Sequence, residues 1–321
     1  MIRLPTVVAA LAAALFATAA IAADDYPNKP IHVYTSSAAG GLSDTFLRAL
    51  SEEMRKTTGQ SLVIENKPGA AGNIAARVCT EGPPDGYTIC ILNTDTLAFN
   101  QFLFKKLPFE PDKLVPIINL FHLIQVLVVN ADLKVKNVDE LVALSKAKPG
   151  TLNYLTASLP LVVYMDRLKK EKGADWVRVP FRGGGQATSA ILGGSTPIGL
   201  IGLGNVLTNI EAGKMTALVL ANNIRTPLQP NVPTLADTGY NGPPSTTWYG
   251  LFAPAGTPKP VIDKLNAVVR KIMGGKEFLD KHVISRSMVP ALNSPEEFAA
   301  EIKEDRKVAE QVVKDAGMQP Q

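Results

Sequence analysis

The chain has 321 residues, of which 46% are hydrophobic and 19% are charged, and its formal net charge is +4. This length allows about two domains, each with a sizeable hydrophobic core. The small positive charge, without a dense cluster of lysines and arginines, argues against a nucleic-acid-binding protein.

The N-terminal segment has the features of an export signal. Arg3 precedes an apolar stretch from Val7 to Phe16, and the small-residue sequence Ala20-Ile21-Ala22 follows. This pattern predicts a secretory signal peptide over residues 1–22, cleaved before Ala23. An anchoring helix is the alternative, but it would need about 20 predominantly apolar residues. We therefore expect the mature protein to be soluble and exported, without a membrane span.

Short β-rich runs alternate with helical segments along the rest of the chain. The first part reads strand, helix, strand, helix, strand, in the order "IHVYTSS", residues 42–57, "LVIEN", residues 72–80 and "YTICILN". The same alternation restarts after residue 130. This rhythm predicts two α/β units with mainly parallel sheets. The extended segments "LIQVLVVN" and "TTWYGLFAP" are expected to cross between the units.

Two C-terminal segments, "PKPVIDKLNAVVRKIM" and "SPEEFAAEIKEDRKVAEQVVKDAG", carry apolar residues at the spacing of amphipathic helices. Ser294 and Glu297 predict a capping box at the start of the second one. Together these patterns predict a first lobe made of residues 23–126 and 249–321, and a second lobe made of residues 127–248.

Cys79 and Cys90 are the two cysteines of the chain. The first ends a predicted helix and the second lies in the predicted strand that follows, so a helix packed on its neighbouring strand could bring them within disulfide distance. An exported protein is in a compartment that permits this bond. Two buried free thiols are the alternative. In neither case do we expect catalysis, because no CxxC spacing or nearby histidine accompanies them.

A series of motifs runs through essentially the whole mature chain. They include "YPNKPIHVYTSSAAGGLSD", "VIENKPGAAGNIAA", "PPDGYTICILN", "NVDELVALSKAKPGTLNY", "VPFRGGGQA", "VPTLADTGY" and "TWYGLFAPAGTP". In this order they resemble the solute-binding proteins of tripartite tricarboxylate transporters, also called Bug receptors. The resemblance implies a type II periplasmic binding protein, whose two α/β lobes close on a small carboxylate and hand it to membrane subunits. It implies no cofactor or metal, and we expect a monomer.

The loop after the first strand is the first predicted contact region for the ligand. Its residues are Ser36, Ser37, Ala38, Ala39, Gly40 and Gly41. Small side chains leave the backbone N–H groups of a loop and a helix N-terminus open to an anion, so we expect this loop to hold a carboxylate. An ordinary tight turn is the alternative. Ser43 or Asp44 is expected to cap the following helix, and direct contact of Asp44 with the ligand is the other interpretation.

The resemblance places a second contact region after the strand "YTICILN", at Asn93, Thr94 and Asp95. Ligands of open α/β sheets bind at the C-terminal ends of parallel strands. The negative charge of Asp95 is unfavourable for binding an anion. This residue can cap the next helix, accept a hydrogen bond from a hydroxyl or amine of the ligand, or face away from it. Capping is the interpretation favoured at this point.

The third contact region, "LTASLPLVVYM", departs from the family pattern because polar residues are replaced by apolar ones. Its predicted contacts are Thr156, Ala157 and Ser158. Ile201 stands where relatives commonly carry an aspartate, which leaves Asn205 as the nearest polar candidate. These replacements predict a ligand with an apolar or aromatic body. Alternatively, the apolar run at 159–163 packs into the lobe core and does not meet the ligand.

The segment "PFRGGGQA" supplies the fourth contact region, again a loop that enters a helix. Its predicted contacts are Arg182, Gly183, Gly184 and Gly185. Arg182 can pair with a second carboxylate, or it can be a solvated residue on the surface of the lobe.

Nothing in the sequence indicates an enzyme. The histidines, His32, His122 and His282, are far apart along the chain, and no metal-ligand spacing or nucleophile motif accompanies them. The sequence therefore predicts an exported receptor that delivers a small carboxylate to the membrane subunits of a tripartite tricarboxylate-type transporter. The alternative is a periplasmic co-receptor that presents the same ligand to a membrane sensor.

Overall fold

The computed structural model describes residues 26–156, 158–179, 184–242, 245 and 247–320. The predicted signal peptide, residues 1–22, lies outside these residues. Within the described part of the chain, no helix is long and apolar enough to cross a membrane.

Eleven strands and ten α-helices are named here in chain order. The strands are β1 Ile31–Thr35, β2 Leu62–Asn66, β3 Thr88–Asn93, β4 Leu114–Leu123, β5 Gln125–Asn130, β6 Asn153–Leu155, β7 Val177–Arg178, β8 Ile198–Gly202, β9 Met215–Leu220, β10 Trp248–Pro254 and β11 Met288–Pro290. The helices are α1 Leu42–Thr58, α2 Asn73–Thr80, α3 Asn100–Leu103, α4 Val138–Ala147, α5 Leu159–Lys172, α6 Gly184–Leu192, α7 Leu207–Glu211, α8 Lys259–Met273, α9 Lys276–His282 and α10 Pro295–Asp315.

The chain divides into two compact units. The first contains the described residues up to Phe121 together with Trp248–His282 and Pro290–Glu304. The second contains His122–Thr247, Val283–Val289 and the residues from Asp305 onward. This division gives part of the stretch 249–321 to the second unit, whereas the lobe boundaries predicted from the sequence assign all of it to lobe 1. The predicted boundaries stay a prediction.

One sheet has six strands in the order β11-β4-β10-β3-β1-β2. Strand β1 pairs in parallel with β2 and with β3, whereas β10 runs antiparallel to β3. The register places Thr35 beside Asn66 on one side and beside Ile91 on the other. The C-terminal ends of β1, β2 and β3 therefore lie next to each other at one edge of the sheet.

The other sheet has five strands in the order β7-β6-β8-β5-β9. Strand β6 pairs in parallel with β7 and β8, and β5 runs antiparallel to β8 and β9. Each sheet therefore combines parallel strands with one of the two segments predicted to cross between the units. This segment is β10 in the six-stranded sheet and β5 in the five-stranded sheet, and it pairs in the antiparallel direction. The residues after β6 and β8 share one sheet edge.

The C-terminal helices follow the predicted apolar stripes. Helix α8 buries residues three and four positions apart, among them Val261, Leu265, Val269 and Ile272. The predicted capping box is confirmed: the backbone N–H of Glu297 donates to Ser294 Oγ over 3.1 Å, and the backbone N–H of Ser294 donates to Glu297 Oε2 over 2.8 Å.

A disulfide joins Cys79, near the end of α2, to Cys90 in β3, with the two Cα atoms 5.9 Å apart. Both residues are fully buried. They belong to a core of the first unit that also contains Trp248, Phe252 and Phe298. The disulfide thus fastens helix α2 to the central part of the sheet.

The second unit has a hydrophobic core on each face of its sheet. Leu200 belongs to one core, with Tyr154 and Trp176, and its neighbour Ile201 belongs to the other, with Val126. Successive residues of a strand face opposite sides of the sheet. Strand β8, which lies between β6 and β5, is therefore covered on both faces.

Candidate functional site

Three buried or half-buried hydroxyl groups fix the loop that follows β1. Ser43 Oγ lies 2.7 Å from Thr35 Oγ1 and 2.6 Å from Ser37 Oγ, and the Ser37 backbone N–H donates to Thr35 Oγ1 over 3.2 Å. Thr35 and Ser43 are fully buried. The side chain of Ser43 therefore anchors the loop between β1 and α1.

Asp44 holds the other side of the same loop. Its carboxylate accepts hydrogen bonds from the Gly40 N–H at 2.9 Å and from Asn66 Nδ2 at 3.0 Å. It also accepts two from Arg48, each 3.0 Å long. The bonds from Arg48, Gly40 and Asn66 lower the pKa of Asp44 to about 2, although burial acts in the opposite direction. All these bonds are internal to the protein, so Asp44 positions the loop.

The predicted helix cap at Ser43 or Asp44 is wrong. Helix α1 begins at Leu42, and its N-cap residue is Gly41, which has no side chain to form a capping bond. Ser43 and Asp44 lie inside the first turn. Their side chains bind the preceding loop, because β1 and β2 place Thr35 and Asn66 within hydrogen-bond reach of them.

Several backbone donors of this loop have no acceptor within the described residues. They are the N–H groups of Ala38, Ala39, Leu42 and Ser43. Ala38, Ala39 and Gly40 are exposed, and Ser36 and Ser37 are half-buried. Helix α1 has 17 residues, so its dipole adds a partial positive charge at this end. The arrangement suits an anion.

The last residue of β3, Asn93, and the two residues after it differ in their surroundings. Asn93 Oδ1 accepts from the Thr96 backbone N–H at 3.2 Å and from Thr96 Oγ1 at 2.8 Å. Thr94 is fully buried, and its Oγ1 accepts from the Trp248 N–H at 2.8 Å. Asp95 is exposed. Asn93 thus performs the capping that was predicted for Asp95, and that prediction is wrong.

In the second unit, Thr156 and Ser158 lie just after β6. Thr156 is buried, and its Oγ1 accepts from the Ser158 N–H at 3.2 Å. Ser158 Oγ lies 2.9 Å from Ser245 Oγ. The predicted contact Ala157 between them lies outside the described residues. The two hydroxyl groups are therefore held at the C-terminal end of a parallel strand, and their contact with a ligand stays a prediction.

Asn205 follows the neighbouring strand β8 at the same sheet edge. It is exposed, and its side-chain amide donates to the Gly202 carbonyl over 3.3 Å. Ile201 lies four residues earlier, in β8, and is only 6% exposed, because it packs in the core with Val126 and Leu155. Ile201 thus offers almost no surface to a ligand, and Asn205 is the polar group available here.

The apolar run Leu159–Val163 forms the first turn of helix α5. Leu161 is 1% exposed and packs in the lobe core, and Pro160 and Val163 are also buried. Leu159 and Val162 remain half-buried. Three of the five residues therefore pack inside the lobe, as the alternative interpretation expects. Only the other two could present an apolar surface to a ligand.

The fourth predicted region falls largely outside the described residues. Arg182 and Gly183 are not among them, and Gly184 begins helix α6. Gly185 is exposed, and a Cβ atom at this position would meet nothing within 4 Å. A glycine here is therefore not required by the packing of the lobe.

In each unit, sequence reasoning missed one residue that the sheet edge places beside the predicted contacts of that unit. Asn66, the last residue of β2, donates to the Ser37 carbonyl and to Asp44, each over 3.0 Å. Arg178, the last residue of β7, donates to the Thr156 carbonyl over 3.3 Å. Each ends a strand next to one already assigned to the site, and this position is the signal that would have found them.

The potential metal-ligating side chains of the described residues do not form a metal centre. No group of three or more His, Cys, Asp or Glu side chains in that part of the chain could hold a metal ion.

Comparison with known proteins gives a consistent result. The profile of the tripartite tricarboxylate transporter family receptor matches residues 46–318. Three solved structures are similar to the chain. The periplasmic binding protein BugD is 28% identical, with a TM-score of 0.76 over 92% of this chain and 100% of that one. Rpa4515 of R. palustris with adipate is 25% identical, with a TM-score of 0.79 over 92% and 100%.

The third structure, MatC from Rhodopseudomonas palustris with bound malate, is 30% identical, with a TM-score of 0.73 over 90% of this chain and 100% of that one. These neighbours confirm the predicted type II periplasmic binding protein fold, which agrees with the two mixed sheets and their covering helices. The chain therefore belongs to the tripartite tricarboxylate transporter receptor family, whose members include the Bug receptors.

Proposed function

We propose that this protein captures a small carboxylate in the periplasm and delivers it to the membrane subunits of a tripartite tricarboxylate-type transporter. Receptors of this family are periplasmic solute-binding proteins. The observation that carries the proposal is the loop at residues 36–41, where exposed backbone N–H groups meet the N-terminus of a long helix. Binding is the whole of the proposed role, and no chemical step is assigned to any residue.

The loop recognises the charge of the ligand in this proposal. Backbone N–H groups of Ala38, Ala39 and the first turn of α1 would donate to the carboxylate oxygens, and the helix dipole would add to their effect. Hydrogen bonds to an ionised acceptor are stronger than those between neutral groups. The internal bonds of Ser43 and Asp44 hold the donors in place before the ligand arrives, so little ordering is needed on binding.

The second unit would supply polar contacts at its own sheet edge. Ser158 and Asn205, which are neutral, and Arg178, which is positively charged, lie at the C-terminal ends of neighbouring strands. We assign Ser158 and Asn205 to uncharged polar groups of the ligand and Arg178 to any second carboxylate that it carries. The sequence predicts a ligand with an apolar or aromatic body, and this stays a prediction. Its remaining support is the partial exposure of Leu159 and Val162, because Ile201 is buried.

The related structures support the class of ligand. Those of Rpa4515 and MatC contain adipate and malate, and both are small carboxylates. Delivery to a transporter is supported by the family to which the chain belongs.

A thermal-shift screen with matched compounds tests the capture of a carboxylate. Each acid is compared with its own primary amide, for example benzoate with benzamide and adipate with adipamide. A ligand present at 100 times its Kd adds about 2.7 kcal/mol to the free energy of unfolding, so at least one acid should raise the midpoint while its amide does not. If no acid in a panel of aliphatic, dicarboxylic and aromatic carboxylates raises the midpoint, carboxylate capture is wrong.

Delivery is tested separately with membrane vesicles that contain the transporter subunits. Uptake of the acid found in the screen should require added receptor and should saturate with receptor concentration. Uptake that is equally fast without the receptor would contradict the role in transport and would leave the binding result intact.

A further inference from the structure

The carboxylate of Asp95, at the ligand-binding edge of the first sheet, has no partner among the residues that the structure describes. Asp95 is the second residue after β3, and it is exposed. Within the described residues, the side chain of Asp95 accepts no hydrogen bond and forms no ion pair. Helix capping does not explain its presence, because Asn93 Oδ1 binds the Thr96 N–H.

The register of the strands places Asp95 close to the loop that suits an anion. Strands β1 and β3 are parallel neighbours, with Thr35 beside Ile91. Adjacent strands lie about 4.8 Å apart. The residues that follow them, Ser36–Gly41 and Thr94–Asp95, therefore leave the sheet at the same edge. A small molecule whose carboxylate is held by the loop can reach Asp95 with a group a few bonds away.

The surroundings of Asp95 contain oxygen atoms, and no lysine, arginine or histidine among the described residues forms an ion pair with it. Tyr249 lies in the neighbouring strand β10, opposite Asn93, and it hydrogen-bonds to Asn93. Burial raises the pKa of Tyr249, and the nearby Asp95 carboxylate adds to this shift. Water reaches the Asp95 side chain, yet the surrounding protein also raises the pKa of Asp95 by desolvation. A partly desolvated carboxylate without a counter-charge is unfavourable.

We propose that the Asp95 carboxylate binds an ammonium group of the ligand, and that the ligand is therefore an amino carboxylate. This inference rests on the proposed function, in which the loop holds the carboxylate of the same molecule. An ammonium group offers three N–H donors and a full positive charge, so it satisfies both the hydrogen-bonding capacity and the charge of Asp95. A hydroxyl group supplies one donor and no charge, and a second carboxylate at this position is repelled.

Calorimetry with matched pairs of ligands at pH 7 tests the inference on the unmodified mature protein. Each pair differs only in the ammonium group: L-phenylalanine with 3-phenylpropanoate, L-leucine with 4-methylpentanoate, and L-glutamate with glutarate. In at least one pair that binds, the amino acid should bind at least tenfold more tightly, which corresponds to about 1.4 kcal/mol. A fourth compound, 3-phenyllactate, places a hydroxyl where phenylalanine has the ammonium group.

Asp95→Asn keeps the shape of the side chain and removes its charge. In this variant, the affinities for the amino acid and for its des-amino analogue should differ by no more than twofold. The change should come mainly from weaker binding of the amino acid. Asp95→Ser serves as a second variant if the asparagine protein does not fold. Glu81→Gln removes another exposed carboxylate of the same unit and should leave the preference unchanged.

Three results would overturn the inference. One is a des-amino acid that binds as tightly as its amino acid in every pair that binds, which would leave the receptor assignment standing. Another is 3-phenyllactate binding as tightly as L-phenylalanine, which would show that Asp95 needs only a hydroxyl group from the ligand and not an ammonium group. The third is a preference that survives in both Asp95 variants. If none of the acids, with or without an amine, binds at all, the proposed function fails together with this inference.

Discussion

Arg48 binds Asp44 through two hydrogen bonds, from Nε to Oδ2 and from Nη2 to Oδ1, each 3.0 Å long. Asp44 is 1% exposed and Arg48 is 57% exposed in their side chains. A two-point contact between an arginine and a carboxylate fixes the orientation of both groups. Because the same carboxylate also accepts from the Gly40 N–H, the ion pair on the helix surface determines the position of the candidate binding loop.

The first prediction concerns the stability that Asp44 contributes. Its pKa falls from the usual 3.8 to about 2 in the folded protein, so the unfolded chain binds this proton more readily. The resulting stabilisation is complete above about pH 4 and disappears as the pH falls towards 2. Since Arg48 is exposed to solvent, we expect Asp44→Asn to cost about 1 to 2 kcal/mol at pH 7 and almost nothing near pH 2. Urea unfolding at both pH values measures this difference.

The matched control for Asp44 is another ion pair with the same spacing. Lys259 binds Asp263 four residues later, at 2.7 Å, but both side chains are exposed. Asp263→Asn should therefore change the stability little at either pH. Equal losses in the two variants at pH 7 would show that the buried position of Asp44 has no special effect.

The second prediction concerns Gly40 in the candidate binding loop. Gly40 has a φ of +79°, and a Cβ atom there would meet nothing within 4 Å. A β-branched residue is strained at this φ, by roughly 1 to 2 kcal/mol, and its side chain would occupy the open space on the ligand side of the loop. We expect Gly40→Val to weaken binding of the best acid from the screen at least tenfold, as measured by calorimetry.

Gly59 provides a control with almost the same backbone geometry. It ends helix α1 with a φ of +77°, and a Cβ atom there also meets nothing within 4 Å. Gly59→Val should therefore lower the free energy of unfolding by a similar amount and leave the affinity unchanged. If the two variants lose affinity equally, the loss reflects general destabilisation and the loop is not part of the site.

Most helices and strands could be located from the sequence because hydrophobic periodicity and helix capping depend on residues close together in the chain. Helix α1 was expected at residues 42–57 and spans Leu42–Thr58, and the Ser294 capping box has both of its expected bonds. Strand β4 was not expected. It contains Pro116, and a proline argues against a strand inside a sheet, yet β4 lies between β11 and β10.

The roles of individual site residues were harder to predict because they depend on neighbours that are distant in sequence. Asp44 lies in the first turn of α1, but its partner Asn66 comes from β2. Ile201 was expected to face the ligand, yet β8 is covered on both faces, so alternation along the strand could not distinguish an exposed position from a buried one. Thr94 likewise binds Trp248, which lies 154 residues further along the chain.

The third prediction concerns the disulfide between Cys79 and Cys90. The two residues are 11 positions apart, and closing a loop of this length in the unfolded chain contributes about 3 kcal/mol. Replacing both cysteines by serine should therefore lower the free energy of unfolding by about that amount, as measured with urea. Adding a reductant should destabilise the native protein and leave the double variant unaffected. A double variant as stable as the native protein would show that the bond contributes nothing.

The last prediction concerns the hydrogen bond between Thr94 and Trp248. Thr94 Oγ1 accepts the Trp248 backbone N–H over 2.8 Å, and both residues are fully buried. Valine has nearly the shape of threonine but no acceptor, so Thr94→Val leaves a buried N–H without this partner. Such a loss costs about 1 to 3 kcal/mol. Thr94→Ser keeps the hydroxyl and removes one methyl group, so it should cost about 1 kcal/mol or less. Urea unfolding should therefore rank the native protein above Thr94→Ser and Thr94→Ser above Thr94→Val. The reverse order of the two variants would mean that the methyl group packed in the core matters more than the hydrogen bond that links the end of β3 to the start of β10.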